Sequence, residues 1–384
     1  MVKQKLIRIT TVPLSLEKLL EGQLGFMKDY FELTAVSSEK TRLEAFAKNE
    51  GVASFYLPLT RKITPFKDLL AVYKLYLFLR KTKPSIVHSH TPKAGVVGMM
   101  AAWMARVPHR LHTVAGLPLM EASGLKRKLL VVIEIVTYRF ATKVYPNSKG
   151  LKDFILSENL IGRSKISIIG KGSSNGIDTH YFSKALFNEH TKDQLRKSLS
   201  FSKEDFVFVF VGRLVKDKGI VELVNAFSAL SIEMEKAQLL LVGPLETELD
   251  PLPSETLATI EQHPNIRSLG YQQDVRPYFA ISQALVFPSY REGFPNVVLQ
   301  ALAMELPTIA TNINGCNELV IPNENGFLVP PKNEKALLEA MKTLVTNEAL
   351  YQSLKQHCRK PIVDSYERQE IWQAILQEYQ QLNV

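Results

Sequence analysis

The stretch SYREGFPNVVLQALAMELP, residues 289–307, decides the fold together with the short apolar run ALVF at 284–287 that comes before it. The apolar run is typical of a buried strand, and the proline at 288 ends it. The segment 297–304 has the apolar spacing of a helix. The pattern therefore predicts a strand, a loop and a helix, which is the repeating unit of an open α/β sheet.

Two polar residues of this unit, Glu292 in the loop and Gln300 in the helix, are eight positions apart. In open α/β sheets ligands bind at the carboxyl ends of the strands, and the N–H groups at a helix start favour an anionic or hydroxyl-bearing partner. We therefore expect Glu292 and Gln300 to face a hydroxyl-rich ligand. Taken alone, Glu292 is also explained as an acid that interacts with the dipole of the following helix.

A second strand, turn and helix is predicted by FVFVFVGRLVKDKGIVELVNAF, residues 206–227. Gly212 allows a tight turn, Arg213 offers a planar fork of donors and Lys218 offers a mobile charge, a combination that suits a diphosphate. A turn of this kind on its own is more often a solvated charged loop. Its pairing with the Glu292 loop favours the ligand site.

Together these elements resemble the C-terminal half of the retaining GT-B glycosyltransferases of family four, which pair a GRL…KG phosphate turn with a Glu-x7-Glu motif. The resemblance continues in family order through LLLVGP (239–244), LGYQQDVRPYFAISQALVFPS (269–289) and NGCNELVIPNENGFLVPPKN (314–333). It is greatest to the branch that builds bacterial capsule, O-antigen and other surface polysaccharides. The resemblance implies an α/β fold of two Rossmann-like domains whose parallel sheets face a cleft.

The resemblance also implies roles for individual residues. His112, Glu292, Arg213 and Lys218 are expected to act in catalysis, with His112 near the reacting carbon and the two cations on the leaving diphosphate. The residues expected to bind the donor are Gly212, Gly243, Tyr271, Gly293, Phe294, Pro295, Asn296 and Gln300. No metal and no cofactor are expected, because the chain has no Asp-x-Asp motif and the nucleotide-sugar is a substrate.

Gln300 departs from the family pattern, which has a second glutamate at that position to bind the ribose hydroxyls. A glutamine carbonyl still accepts a hydrogen bond, but such a bond is worth about 1 kcal/mol against about 1.5–3 kcal/mol for one to a charged group. We expect weaker nucleotide binding and retained activity.

The N-terminal half alternates strand-like runs with helical patterns, as βαβ units do. The runs are LIRITTV, SIVHSH, HRLHTVA, KVYPNS and ISIIG. His90 and Lys93, at the end of the second run, are candidates for acceptor contacts, whereas His88 has apolar neighbours and is expected to pack inward.

The length of 384 residues predicts two domains. The turn-forming segment KGSSNGID indicates a boundary, so that residues 1–182 form an N-terminal acceptor-binding domain and residues 183–365 a C-terminal nucleotide-sugar-binding domain. The final helix, 366–384, has one broad apolar face and should therefore be buried. Its crossing back onto the N-terminal domain is implied by the resemblance.

Charge is unevenly distributed, since residues 1–180 carry 28 Lys and Arg against 13 Asp and Glu, whereas the remainder carries 19 against 25. Basic clusters at 61–67, 80–83 and 126–128 lie beside apolar residues, which suits an anionic membrane surface or a pyrophosphate-linked acceptor as well as a solvated face. No nucleic-acid-binding motif accompanies the charge. With no secretory h-region and only two cysteines, we expect a cytoplasmic protein on the inner face of the membrane.

The expected activity is transfer of a hexosyl or N-acetylhexosaminyl group from a nucleotide diphosphate sugar, UDP-linked, to a polyprenyl-diphosphate-linked saccharide. Two alternatives stay open at this point. A nucleotide-sugar epimerase of the same fold would need no second substrate and no basic acceptor surface. A nucleotide-sugar-binding protein without catalysis would account for Gln300 but not for the joint presence of His112, Arg213, Lys218 and Glu292.

Overall fold

The computed structural model describes residues 3–60, 62, 64–120, 122–248 and 250–382. The chain divides into two compact units: the first runs to Gly176 and includes the chain from Arg368 onward, and the second is Ile177–Glu367. The first boundary therefore comes earlier than the expected 182/183. The reason is that the Ile177 N–H already donates to the carbonyl of Tyr366 at 2.8 Å, within the second unit.

The first unit is built on a parallel sheet of six strands. They are β1 (Gln4–Ile9), β2 (Phe31–Ser37), β3 (Ala53–Tyr56), β4 (Ile86–Ser89), β5 (His109–Val114) and β6 (Lys143–Pro146). They lie in the order β3-β2-β1-β4-β5-β6, and each neighbouring pair is parallel. This is the order of a doubly wound Rossmann-like sheet, whose topological switch point lies between β1 and β4.

Helices cover both faces of this sheet. They are α1 (Pro13–Leu19), α2 (Gln23–Met27), α3 (Lys40–Glu50), α4 (Pro65–Thr82), α5 (Pro92–Met104), α6 (Gly124–Phe140) and α7 (Lys149–Ser157). Because successive strand residues point to opposite faces, Ile7 packs into a core with α4 to α7, whereas Leu6 packs into a second core with α1 to α3. Among the described residues, no helix is both long and apolar enough to span a bilayer.

The second unit repeats the same architecture. Its strands are β7 (Phe206–Val211), β8 (Ala237–Val242), β9 (Ile266–Ser268), β10 (Ala284–Phe287), β11 (Thr308–Thr311) and β12 (Gly326–Val329). They lie in the order β12-β11-β10-β7-β8-β9, again with parallel neighbours, so the switch point lies between β7 and β10. The apolar runs at 206–211 and 284–287 are these two central strands, as predicted. Their continuous apolar sequence reflects burial on both faces.

The helices of the second unit surround a single core. They are α8 (Glu189–Ser198), α9 (Ile220–Glu233), α10 (Ser254–Gln262), α11 (Arg276–Ile281), α12 (Asn296–Ala303), α13 (Cys316–Leu319), α14 (Glu334–Thr346) and α15 (Glu348–Tyr366). The predicted helices after the two central strands are α9 and α12. The two-domain α/β fold expected from the sequence is therefore confirmed.

The last helix, α16 (Arg368–Gln380), packs in the first unit. Its apolar face was predicted from the spacing of Ile371, Ile375, Leu376, Tyr379 and Leu382. The first four are buried, whereas Leu382 lies beyond the end of the helix and is half-buried. Trp372 is buried as well, because its ring packs against Phe26 of α2 with the ring centres 5.4 Å apart.

One strand prediction is wrong. The run ISIIG, residues 166–170, forms no strand, and only Ile166 makes an isolated bridge, to Val144 of β6. Gly170 then takes a left-handed conformation with φ 58°, which is incompatible with continued strand pairing. Strands β2 and β3 were absent from the predicted runs.

Candidate active site

Two loops meet at the switch point of the second unit, one after β7 and one after β10. The N–H of Tyr290 donates to the carbonyl of Asp217 at 2.8 Å, and the guanidinium of Arg291 lies 2.9 Å from the carboxylate of the same aspartate. Gly219, which starts α9 with φ 69°, leaves no room for a side chain, since a Cβ there would lie 2.2 Å from the carbonyl oxygen of Pro288. The structure therefore brings together the two strand–loop–helix elements that the sequence predicted, at 206–227 and 284–304.

Lys218 and Glu292, one from each loop, form an ion pair. Their side chains are only 18% and 15% exposed, and the ammonium group also lies 5.6 Å from the centre of the Phe287 ring. Solvent screens such a pair much less than a surface pair, and removal of one partner leaves the other charge largely desolvated. The acid and the base predicted from separate motifs thus hold each other in place.

Arg213, unlike Lys218, has a side chain that is largely open to solvent. It follows Gly212 at the end of β7, its side chain is 47% exposed, and its guanidinium lies 3.9 Å from the carboxylate of Glu246. That distance exceeds hydrogen-bond length, so the interaction is a screened surface contact. The planar fork of donors is therefore accessible to solvent at the end of β7.

Two glycines bring the ends of β7 and β8 into close contact. Gly212 and Gly243 have φ values of 154° and 149°, and a Cβ on Gly243 would lie 1.8 Å from the carbonyl oxygen of Gly212. The N–H of Gly243 donates to the carbonyl of Gly270 at the end of β9, at 2.8 Å. Tyr271 follows directly and is exposed. Its ring is therefore free to stack on a flat ligand group, and the predicted donor contact of Tyr271 stays a prediction.

A third loop, after β11, supports the backbone of the segment that follows Glu292. The amide of Asn314 donates to the carbonyls of Glu292 and Gly293 at 3.0 and 2.9 Å. Gly315 has φ 78°, and a Cβ there would lie 2.6 Å from the carbonyl oxygen of Gly293. Sequence reasoning assigned no role to Asn314 or Gly315, although the Asn-Gly pair after an apolar run was the signal available.

The donor-site predictions after Glu292 lie on this supported segment and on α12. Gly293, Phe294 and Pro295 are buried, and their contacts with a donor stay predictions. Asn296 and Gln300, one helical turn apart, are half-buried on the same face of α12, while the residues between and after them fill the core. Gln300 is therefore partly accessible, and its contact with the ribose stays a prediction.

His112 lies inside the first unit, on β5. It is 2% exposed, its Nδ1 is 2.8 Å from the hydroxyl of Ser89, and α5 covers its ring so closely that a Cβ on Gly95 would lie 2.6 Å from it. Burial lowers its pKa to about 4, so the ring is neutral at pH 7. A direct contact with a sugar would require the ring to be uncovered, and the catalytic role of His112 stays a prediction.

The two predicted acceptor residues follow β4. His90 is buried, with its ring stacked on that of His88 at a centre-to-centre distance of 4.2 Å. Lys93 lies 2.7 Å from the carboxylate of Asp68, so its charge is engaged within the unit. His88 packs inward as expected and is 2.8 Å from the hydroxyl of Thr113. The acceptor roles of His90 and Lys93 stay predictions.

The part of the chain that the structure describes contains no group of three His, Cys, Asp or Glu side chains placed to hold a metal ion. Among the predicted site residues of the second unit, the cationic groups are the Arg213 guanidinium and the Lys218 ammonium.

A buried acid, Glu134 on α6, makes the stability of the first unit depend on pH. Burial raises the pKa of its carboxyl to about 7, although the neighbouring Tyr138 hydroxyl acts in the opposite direction. Between pH 4.5 and 7 the unfolded chain releases this proton whereas the folded unit retains it. The destabilisation therefore increases as the pH rises through that range and is complete above pH 7.

Glu134→Gln is accordingly expected to stabilise the first unit by on the order of 2–3 kcal/mol at pH 8 and by little at pH 4.5. Both tryptophans, Trp103 and Trp372, lie in this unit, so tryptophan fluorescence during denaturant unfolding reports on it alone. Glu32→Gln, a change at an exposed acid of β2, is the matched control and should show no such pH dependence. Equal stabilisation by Glu134→Gln at both pH values would contradict the assignment.

Comparison with known proteins finds glycosyl transferases as the relatives of both units. A family model described as "Glycosyl transferases group 1" matches residues 191–360, and one described as "Glycosyl transferase 4-like domain" matches residues 31–172. The chain is 34% identical to the capsular polysaccharide biosynthesis glycosyltransferase CapM of Staphylococcus aureus, over 98% of this chain and 96% of that one. It is 28% identical to the UDP-Gal:alpha-D-GlcNAc-diphosphoundecaprenol alpha-1,3-galactosyltransferase of Escherichia coli, over 88% of this chain and 86% of that one.

Among solved structures, Anabaena Alr3699/HepE in complex with UDP and glucose superimposes with a TM-score of 0.83. The match covers 98% of this chain and 100% of that one at 18% sequence identity. At this identity the likeness is one of fold.

Proposed function

Because this chain belongs to the group 1 glycosyl transferases, we propose that it transfers a sugar from a UDP-sugar to a lipid-linked saccharide, with retention at the anomeric carbon. The observation that carries the proposal is the half-buried Lys218–Glu292 pair at the switch point, with the exposed guanidinium of Arg213 beside it. The process served is the biosynthesis of a capsular or other surface polysaccharide, as for the Staphylococcus aureus relative.

In this proposal the diphosphate of the donor lies between the turn after β7 and the start of α12. Arg213 and Lys218 stabilise the negative charge that develops on the leaving UDP, and the N–H groups at the start of α12 add to it. Glu292 holds Lys218 and contacts the hydroxyls of the sugar. Because side chains supply the positive charge, transfer is expected to persist in the presence of a chelator.

The assignment of uridine rests on the relatives and on one surface residue. The Escherichia coli relative is named for UDP-Gal, and the superimposed Anabaena structure holds UDP. Tyr271, exposed beside Gly243, offers a ring on which the base stacks. A thermal-shift panel of UDP, GDP, ADP and CDP tests this. Selective stabilisation by UDP supports the proposal. Selective stabilisation by another nucleotide would mean that the donor carries that base instead of uracil.

Restoring the acid that the family usually has, by Gln300→Glu, is expected to tighten UDP binding roughly three- to tenfold, since a charged acceptor strengthens a hydrogen bond to a ribose hydroxyl. Calorimetric titration of both proteins with UDP measures the difference. Gln352→Glu adds the same charge at an exposed position of α15 and should leave the affinity unchanged. Unchanged affinity in Gln300→Glu would mean that this side chain does not contact the ribose.

A lipid-linked acceptor requires access to a membrane surface, and α4 has a suitable outer face. Five large apolar or aromatic side chains on it are exposed although they belong to a folded helix: Phe66, Leu69, Leu70, Tyr73 and Leu77. Their spacing of three and four residues places them along one stripe, opposite the buried residues of the same helix. Exposed lysines and arginines of the same helix flank this stripe, an arrangement typical of helices that lie in the interface of an anionic membrane.

The outer face of α6 likewise combines exposed apolar side chains with basic ones. Leu125, Leu129 and Val132 are exposed, and Lys126 and Lys128 lie between them. Helices α4 and α6 both pack against α5, so the two apolar stripes lie on the same side of the first unit's sheet. We propose that this side, α4 with α6, rests on the cytoplasmic face of the membrane and brings the polyprenyl-diphosphate acceptor to the enzyme. The basic cluster at 61–67 lies partly outside the described residues.

The double substitution Phe66→Ser/Leu69→Ser is expected to lower binding to vesicles that contain anionic phospholipid by roughly tenfold or more, because each removed side chain loses about 1.5–3 kcal/mol of apolar burial in lipid. Co-sedimentation with anionic and with zwitterionic vesicles measures it. Ile232→Ser, at an equally exposed apolar residue of the second unit, is the control. Equal vesicle binding by all three proteins would exclude α4 as the membrane contact.

A further inference from the structure

We propose that the first unit binds a single monoatomic anion of chloride size, in a cavity between β1, β4 and α16, through Arg8 and His90. The site lies within the first unit alone and does not depend on the proposed transfer reaction.

The cavity has a volume of about 20 Å³, and its polar lining includes Arg8, His88, His90, Asn147 and Ser174. Apolar atoms of Ile169 and Ile375 close part of its wall. A cavity of this volume can hold one water molecule or one ion of similar size, but it is too small for a phosphate or sulfate group.

Several buried polar atoms at this cavity have no hydrogen-bond partner among the residues that the structure describes. They are Nε of Arg8, both ring nitrogens of His90, Oδ1 of Asn147 and Oγ of Ser174. Arg8 is 1% and His90 2% exposed, so neither finds bulk solvent instead. Buried polar atoms without partners are rare in folded proteins, and their grouping around one cavity indicates a bound species. Nε of Arg8, the protonated ring nitrogen of His90 and the Ser174 hydroxyl would donate to it. The Asn147 oxygen would turn away from an anion or be exchanged with its amide nitrogen.

The charge on Arg8 distinguishes an anion from a water molecule. Its NH groups donate to the hydroxyl of Tyr379 and to the side-chain carbonyl of Gln23, and none of its described contacts is a carboxylate. Arg196, the deeply buried arginine of the second unit, instead donates to the backbone carbonyls of Ser202, Asp205 and Ile281. Arg8 therefore has fewer acceptors than a comparable buried guanidinium in the same chain, and its charge is poorly compensated.

The neighbouring groups add no negative charge. Tyr379 contacts both Arg8 and His88, but burial raises the pKa of its hydroxyl to about 12, so the phenol is neutral at pH 7. Burial, with repulsion from Arg8, holds the pKa of both His88 and His90 well below the ordinary value. The arrangement is a positively charged, desolvated pocket, and a small anion in it would tie β1, β4 and the final helix together.

The test compares the thermal midpoint of the first unit, followed by tryptophan fluorescence, in sodium chloride and in sodium gluconate at the same ionic strength. Gluconate is too large for the cavity. A bound anion is expected to raise the midpoint by about 2–4 °C in a saturable manner, and bromide should act as chloride does. In crystals grown with bromide, an anomalous peak is expected between Arg8 Nε and the His90 ring.

His90→Phe keeps a ring stacked on His88 and removes both nitrogens, so it should fold and lose the chloride-dependent rise. His263→Phe, at a half-buried histidine of the second unit, is the matched control and should retain it. Identical midpoints in chloride and gluconate for the unaltered protein, or a water molecule without anomalous signal at this position, would overturn the proposal.

Discussion

Replacing Glu292 by alanine is expected to lower the rate of sugar transfer by roughly 10²- to 10³-fold, while the affinity for UDP changes by less than about threefold. The reason lies in the Lys218–Glu292 pair. Without the carboxylate, Lys218 loses the partner that fixes its ammonium, and the donor sugar loses a hydrogen-bond acceptor. The diphosphate, in contrast, keeps Arg213 and the N–H groups at the start of α12.

The experiment separates a role in transfer from a role in folding. Transfer is measured with saturating donor and acceptor, and UDP affinity by calorimetry on the same preparations. Glu233→Ala removes the acid of an exposed ion pair with Lys342 in the same unit and should change neither quantity. Full transfer activity in Glu292→Ala would remove this residue from the active site, and loss of UDP binding together with transfer would assign it to nucleotide binding instead.

Gly243→Ala is expected to destabilise the second unit by roughly 3–5 kcal/mol or to prevent its folding. The added Cβ would lie 1.8 Å from the carbonyl oxygen of Gly212, a backbone atom that moves only if the ends of β7 and β8 separate. Because Arg213 follows that carbonyl, the same displacement moves the guanidinium out of the diphosphate site. Any folded variant should therefore bind UDP at least tenfold more weakly.

Gly270→Ala is the matched control for this steric argument. Gly270 also has a positive φ, 65°, but a Cβ there meets no atom within 4 Å. It should show only the conformational penalty of about 1 kcal/mol. The second unit contains neither tryptophan, so its unfolding is followed by far-ultraviolet circular dichroism. Equal stability of the Gly243 and Gly270 variants would show that the two strand ends are not in close contact.

The features that the sequence predicted correctly are local. The central strands β7 and β10, and the helices α9 and α12 that follow them, are each encoded in one continuous apolar pattern of fewer than 25 residues. The Lys218 turn and the Glu292 loop were paired from the sequence pattern, whereas the roles of the two residues were implied by the resemblance. The geometry adds a physical reason, because parallel neighbouring strands necessarily bring the loops at their carboxyl ends together.

The features that the sequence did not reveal depend on contacts between distant segments. Arg8 lies 371 positions before its partner Tyr379, and neither residue belongs to a pattern that indicates the other. The approach of Gly243 to Gly212 and the support of Gly293 by Asn314 likewise join separate loops. The position of Lys93 after a strand end predicts an acceptor contact, whereas nothing in the sequence indicates its pairing with Asp68 of α4.

Transfer is tested most directly by an assay of the purified protein with a UDP-sugar panel, in the presence and absence of a polyprenyl-diphosphate-linked saccharide, read by mass spectrometry. We expect release of UDP and a lipid-linked product heavier by one sugar residue, both only when the acceptor is present. An isomeric sugar formed without the acceptor would contradict it and indicate an epimerase. UDP-sugar binding without any product, across the panel, would indicate a binding protein.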